Sequence, residues 1–327
     1  MRVHKIHRQV GVTMSNKKAV LVLSFGLGIL TVLCLITHPR KYTSDIAVMG
    51  NSVKNGIARS TIYVLNLNWN TFEAITPAEL YVKNFVWSKN GEQIIFTYSI
   101  LLPRQMGWDV KESGIGIVDA QGTKELQILY RFAKHQVFDS IIWDPHSDTK
   151  LLLIGHPIEE TFIFDLHSKN LEAIEWTING KRYSHVAVNY DSGIMVGSKD
   201  GKIYLLDFIN QSVHFLVTGS CPSWLNQKNE FAYVCNSNEL CIANQSGNVL
   251  PNFAKLRHWK PGNAPYNRLE FSPDDRFIAY YAGGGGENPR KFPDYLGVYD
   301  TKRRSEQLFF SSRDVNISLS YFAWRPK

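Results

Sequence analysis

From residue 45 onward the chain alternates short apolar runs with polar turns, and two phrases recur along it. The first ends on an aromatic or apolar residue, passes through a polar turn and resumes as a strand. Its copies are FVWSKNGEQIIFTYS at 85–99, IIWDPHSDTKLLLIGH at 141–156, VAVNYDSGIMVGS at 186–198, SWLNQKNEFAYVCNS at 223–237 and LEFSPDDRFIAYYAG at 269–283, with a sixth, YFAWRPK, over the last seven residues. The second phrase is an alternating strand that stops at an acid or its amide: IYVLN, IGIVD, TFIFD, KIYLLD, LCIAN and LGVYD, ending at Asn66, Asp119, Asp165, Asp207, Asn244 and Asp300. Period-two alternation with β-branched enrichment predicts half-buried strands, and Asn90-Gly91 and Asp200-Gly201 supply the positive-φ residues of tight hairpins.

The spacing between successive second phrases is 53, 46, 42, 37 and 56 residues. Such a period suits one four-stranded unit per repeat with loops of variable length, each unit burying its faces by stacking radially on its neighbours. Each repeat then supplies an inner strand before the turn, a second strand after it, a third ending at the acid, and an outer fourth such as KELQILY or SEQLFF. The last copy, SLSYFAW, has no second strand after it, while an orphan strand of that kind, DIAVMG, sits at 45–50. Pairing the two removes a pair of exposed sheet edges. The expected fold is therefore all-β, a six-bladed β-propeller closed by N- and C-terminal strands in one blade.

The phrase FSPDDRFIAYYA, with its degraded copies WSKNGEQIIFTY and WDPHSDTKLLLI, resembles the repeat of TolB-like β-propellers. The resemblance covers nearly all of 45–327, and the copy around Val188 departs most. It implies architecture rather than activity, because that family includes periplasmic scaffolds, peptidase side domains and a few lyases.

The N-terminus is different in kind. Residues 19–38, AVLVLSFGLGILTVLCLITH, are uncharged and mostly apolar, long enough as a helix to cross a hydrocarbon layer of about 30 Å. This run exceeds a signal-peptide core of about 7–15 residues, and Thr37, His38, Pro39 and Arg40 offer no small-x-small cleavage site, so an uncleaved transmembrane anchor is expected. Arg2, Lys5, Arg8, Lys17 and Lys18 precede it without an acid, which keeps the basic segment 1–18 in the cytoplasm. A short linker, 39–44, then leads to a propeller domain at 45–327 in the periplasm, the cell exterior or a lumen.

Charge changes the picture once more. A net charge of +7 suggests nucleic acid, but residues 1–41 hold seven of the 36 Lys and Arg and none of the acids, leaving 29 basic and 29 acidic residues beyond. The basicity belongs to membrane topology, and nucleic acid is excluded as an expected partner. Beyond the anchor lie Cys221, Cys235 and Cys241. Cys235 and Cys241 fall on the second and third strands of one predicted hairpin, placed either for a disulfide or for two separately packed thiols.

Loops between second and third strands, and between successive units, are long: 100–114, 130–137, 176–184, 254–265 and 283–294. They lie at the end away from the membrane, since the strand at 45 begins at the short-turn end. Long loops concentrate function, and these carry Arg104, Trp108, Arg131, Arg182, Arg257, Trp259, Lys260 and Arg290, the Arg and aromatic mixture of protein-binding surfaces that also suits glycans. Four histidines, His135, His156, His185 and His258, map near the same loops and resemble the metal-binding histidines of propeller lyases in the family, without HxH or HExxH spacing. No GxSxG motif occurs, and the tetraglycine at 283–286 lacks the Lys-Ser/Thr pair of a phosphate loop. The expectation is a non-catalytic, membrane-anchored module, without cofactor, that binds a protein or a glycan through its long-loop face. The alternative is a metal-dependent lyase acting on carbohydrate.

Overall fold

The computed structural model describes residues 45–326 apart from 55–56, 104–107, 123–124, 134–137, 145, 156–160, 175–183, 190–192, 208–211, 238, 260–267, 284–293 and 312–317, so the anchor expected at 19–38 lies outside the described residues. Among the described residues no helix is long and apolar enough to cross a membrane, and the fold is all-β.

The chain forms β1 (Ile46–Lys54), β2 (Ile57–Asn66) and β3 (Thr71–Ala74), then β4 (Tyr81–Trp87), β5 (Gln93–Pro103), β6 (Trp108–Asp119) and β7 (Gln127–Arg131). Next come β8 (Phe138–Trp143), β9 (Lys150–Gly155), β10 (Thr161–Asp165) and β11 (Asn170–Ile174), and β12 (Ser184–Asn189), β13 (Ile194–Lys199), β14 (Lys202–Asp207) and β15 (Ser212–Thr218). The rest are β16 (Ser220–Trp224), β17 (Glu230–Asn236), β18 (Glu239–Asn244), β19 (Val249–Lys255), β20 (Leu269–Phe271), β21 (Phe277–Gly283), β22 (Asp294–Asp300), β23 (Ser305–Ser311) and β24 (Ser318–Trp324). Strands β8–β11, β12–β15, β16–β19 and β20–β23 are antiparallel meanders of four. A fifth sheet of eight strands consists of β24-β1-β2-β3 and β4–β7, joined by a parallel Ser60–Tyr81 pair. Strand β24 lies antiparallel to β1, with Ile46 opposite Trp324 and Asn51 opposite Ser318.

The core lies between sheets. The second strand of each meander is apolar on both faces, and each face meets a different neighbour. Leu151 and Leu153 of β9 pack with Ile95 and Ile115, whereas Leu152 and Ile154 pack with Met195 and Leu206. Phe231 and Tyr233 of β17 face Val196 and Ile203, while Ala232 and Val234 face Leu269 and Ile278. Phe277 and Ala279 of β21 face Ile46, Val48 and Trp324, and Ala47 and Met49 on the opposite face of β1 join Phe85 and Phe96. Two buried faces explain why these strands read as near-continuous apolar runs. The third strands β18 and β22 are also buried on both faces, where the alternation predicts half-burial, because sheets cover them from either side.

Turn chemistry explains both phrases. At the end of the third strand the acid or amide caps the following turn: Asn66 Oδ1 accepts from the N–H groups of Asn68 and Trp69, Asp165 Oδ1 from His167 and Ser168, Asn244 Oδ1 from Ser246 and Asn248, and Asp300 Oδ1 from Lys302 and Arg303. These are Asx turns, which only Asp or Asn makes well. In the first phrase Ser88 Oγ accepts from Gln93 N, and Ser272 Oγ from Phe277 N, at 2.9 Å each.

The tryptophan before that turn links neighbouring four-stranded units. Trp87 Nε1 donates to Ala323 O at 2.9 Å, Trp143 Nε1 to Trp87 O at 2.8 Å, Trp224 Nε1 to Ala187 O at 3.1 Å and Trp324 Nε1 to Glu270 O at 3.0 Å. Where Phe271 stands instead, Asp275 bridges the gap by accepting from the backbone N–H groups of Asn226 and Gln227.

The expected loop at 100–114 is a correction. Strands β5 and β6 stay paired out to Pro103 opposite Trp108, so most of it is a ladder extending beyond the sheet. In the β17–β18 hairpin Cys235 and Cys241 are joined by a disulfide with Cα atoms 5.8 Å apart. The bond runs diagonally, since Tyr233 is the residue opposite Cys241 and a bulge falls between Val234 and Asn236. Cys221 is free and buried, and burial pushes its thiol up to about 11.

Three outcomes follow from this packing. Deleting residues 321–327 removes Phe322 and Trp324, each worth about 3–5 kcal/mol, and lowers the melting temperature by about 10 °C or more; a truncated protein that melts with the intact one would exclude pairing of the chain ends as a source of stability. Gly297 lies opposite Tyr280, and an added Cβ would overlap the tyrosine ring, so Gly297→Ala costs about 1–3 kcal/mol in chemical denaturation. Cys221, protonated and enclosed, resists alkylation at neutral pH until the protein unfolds, as site-resolved mass spectrometry would record; rapid labelling of the native protein would contradict its burial.

Candidate functional site

Of the residues expected to form the working surface, the side chains of Arg131, Arg257, His258 and Trp259 are among those described. Arg104, Arg182, Lys260, Arg290, His135 and His156 lie outside the described residues. Trp108 opens β6 and His185 sits in β12, but only their backbones are described. Among the described residues no three metal-binding side chains converge.

Arg131 is committed within the fold. Its Nε donates to Glu112 Oε1 at 3.1 Å, and the Tyr98 hydroxyl donates to the same oxygen at 2.6 Å. The tyrosine bond first, then Arg131, holds the Glu112 carboxyl below the usual carboxylate range, while burial and then the bond to Glu112 raise the Tyr98 hydroxyl. Trp259 is a correction: it is 4% exposed, with its ring 6.1 Å from that of Tyr280, in the cluster between β16–β19 and β20–β23. It follows Leu256, also buried, so the start of the 254–265 segment anchors in the core and leaves Arg257 and His258 outside.

Those two residues border a cleft of about 700 Å³ between the outer strands of β16–β19 and β20–β23. Phe253, Ala254 and Lys255 come from β19, Glu239 from the start of β18, Tyr299 from β22, Arg304 from the turn after Asp300, and Ser305 and Glu306 from β23. Glu306 organises one wall: its Oε1 accepts from Arg257 N at 2.7 Å and from the Tyr280 hydroxyl at 3.1 Å. Burial, then the Glu306 charge, raises the Tyr280 hydroxyl, which therefore stays a donor. Lys255 faces Glu239 at 3.8 Å. The exposed Arg257 and Arg304 side chains form no ion pair among the described residues. Two guanidiniums with Lys255 and His258, beside Phe253 and Tyr299, make a rim suited to carboxylates next to apolar or aromatic groups.

Sequence reasoning reached Arg257 and His258 but not their partners. The Lys302-Arg303-Arg304 run is plain in the chain, yet it follows an Asx turn at a distance of nearly fifty residues, and only the packing of one outer strand beside the next brings it to Arg257. A second charged group was also missed. Arg268 Nη2 lies 3.2 Å from Glu270 Oε2, its guanidinium stacks 4.0 Å from the Tyr321 ring, and Glu270 Oε1 accepts from Trp324 N. Burial pushes the Glu270 carboxyl up, against the opposing charge of Arg268. Every member is engaged in joining β20 to β24, so this group is structural.

No protein-family model matches the chain, and no curated protein matches it in sequence. Solved structures do. TolB from Acinetobacter baumannii superposes with a TM-score of 0.57 at 15% identity over 87% of this chain and 67% of that one. A chain of a nidogen/laminin complex superposes with a TM-score of 0.57 at 10% identity over 85% of this chain and 98% of that one. Identities this low speak for fold alone. Together with the radial contacts between four-stranded meanders, they identify the fold of this chain as a TolB-like β-propeller.

Proposed function

We propose that this chain is a six-bladed propeller, with β24 and β1 in the closing blade, held on a single N-terminal membrane helix outside the cytoplasm, and that it works without catalysis by binding a protein partner. Six hydrophobic clusters support the blade count, each shared by two successive meanders and the last shared by β21–β23 with β1, β2 and β24. The anchor and the compartment rest on the apolar run 19–38 and the basic residues before it. A protein partner fits the neighbour taken from a nidogen/laminin complex.

The observation that carries the reading is the cleft bordered by Arg257 and Arg304, two exposed guanidiniums without an ion pair among the described residues. Such a rim recognises a partner segment that carries carboxylates beside aromatic or apolar side chains. Lys255, Arg257 and Arg304 outnumber Glu239 and Glu306 in the lining, so the net charge of the cleft is positive.

Fluorescent peptides rich in Asp and Glu with one aromatic residue test this by anisotropy. A charge-assisted hydrogen bond contributes about 1.5–3 kcal/mol, so the pair Arg257→Glu and Arg304→Glu weakens binding by about tenfold or more. Both side chains are exposed, so the melting temperature stays that of the unaltered protein. Equal binding by the two proteins would remove the cleft from consideration.

A further inference from the structure

Among the described residues the most exposed large apolar side chain is Trp69, 78% exposed on the turn between β2 and β3, with Phe72 nearby at 43%. Trp87, Trp143, Trp224, Trp259 and Trp324 are all buried in the core. Trp69 is not displaced from a packing role by a loose loop. Asn66 Oδ1 grips the N–H groups of Asn68 and Trp69, and Asn70 takes a φ of 50°, a left-handed conformation that Asn tolerates. The turn is therefore fixed, and it holds the indole outward. From Asn66 to Phe72 the sequence NLNWNTF carries no charge.

The location of this turn singles out what it meets. Ile46 pairs with Leu65 and with Trp324, and Arg325 N donates to Asp45 O at 2.9 Å. The chain therefore enters β1 at the same end of the β1–β2 pair from which the Asn66–Thr71 turn projects. Only residues 39–44 separate that entry from the apolar run 19–38. Six residues reach at most about 20 Å, against a headgroup layer of roughly 5–8 Å on each side of the hydrocarbon. A tether this short keeps the entry end of the sheet close to any bilayer that residues 19–38 cross.

We propose that the Trp69 turn is a second membrane contact, with the indole at the headgroup level and Phe72 beside it, so that the propeller is held at two points and its orientation on the bilayer is set. An uncharged turn bearing Trp suits that layer, because the ring is amphipathic and the neighbouring Asn and Thr side chains remain hydrated. This inference rests on the reading of residues 19–38 as an anchor.

The full chain reconstituted into phosphatidylcholine vesicles, with lipid brominated along the acyl chain as quencher, tests both levels. Flotation with the vesicles reports the anchor, and tryptophan quenching reports the turn. The expected result is that both the unaltered chain and Trp69→Phe float, and that the quenched fraction of the fluorescence falls in the variant, since Trp87, Trp143, Trp224, Trp259 and Trp324 are enclosed. Equal quenching in two floating proteins would overturn the second contact while leaving the anchor standing, and would point to a protein as what covers Trp69. A chain that does not float would overturn both. The exposed position of Trp69 predicts an unchanged melting temperature for Trp69→Phe, which separates loss of contact from loss of fold.

Discussion

A strand with two apolar faces cannot stop at one neighbour. In this protein the second strand of each meander carries such faces: Leu151 and Leu153 against Leu152 and Ile154 in β9, Phe277 and Ala279 against Ile278 and Tyr280 in β21. Each sheet must therefore be covered on both sides, and a row of sheets would leave two apolar faces in water. Joining β1 to β24 removes that exposure, because Ile46 and Val48 cover one side and Ala47 and Met49 serve the other. The indole N–H groups of Trp87, Trp143, Trp224 and Trp324 add direction to this packing, which is otherwise non-directional, by tying one four-stranded unit to a carbonyl of the next.

With the inner strands consumed by packing, recognition is left to the outer ones and to the turns. Strand β3 is exposed throughout, and the cleft lies where β19 meets the start of β23. Its shape depends on the core behind it. Gly297 makes room for the Tyr280 ring, the Tyr280 hydroxyl holds Glu306, and Glu306 holds the Arg257 backbone at the rim. A side chain in a buried strand thus positions a surface arginine by two hydrogen bonds. The same logic removes Trp259 from the surface, since it fills the space beside Tyr280 that anchors the loop.

Two surface features carry the proposed contacts, and their chemistry differs. The cleft presents guanidiniums beside aromatic walls, which favours carboxylates. The Asn66–Phe72 turn is uncharged and carries an exposed indole, which favours the boundary of a bilayer. A propeller fixed at its membrane end by both tether and turn would present the cleft in a constant orientation, and a partner would meet it without the cost of ordering a swinging domain.

The repeat, the strand order within each unit and the pairing of the two chain ends were legible from the residues alone, because hairpin turns and Asx turns are local chemistry and leave polar turn residues and a terminal Asp or Asn in each unit. The meaning of Trp87 and Trp324 was not, since an aromatic before a turn reads the same whether it packs, binds a ligand or ties two sheets together. Nor was the cleft, whose Arg257 and Arg304 are local neighbours of nothing that marks them. Tertiary packing decided these, because the contact between one outer strand and the next depends on how twisted sheets stack, and no period in the chain records which side chains that stacking brings together.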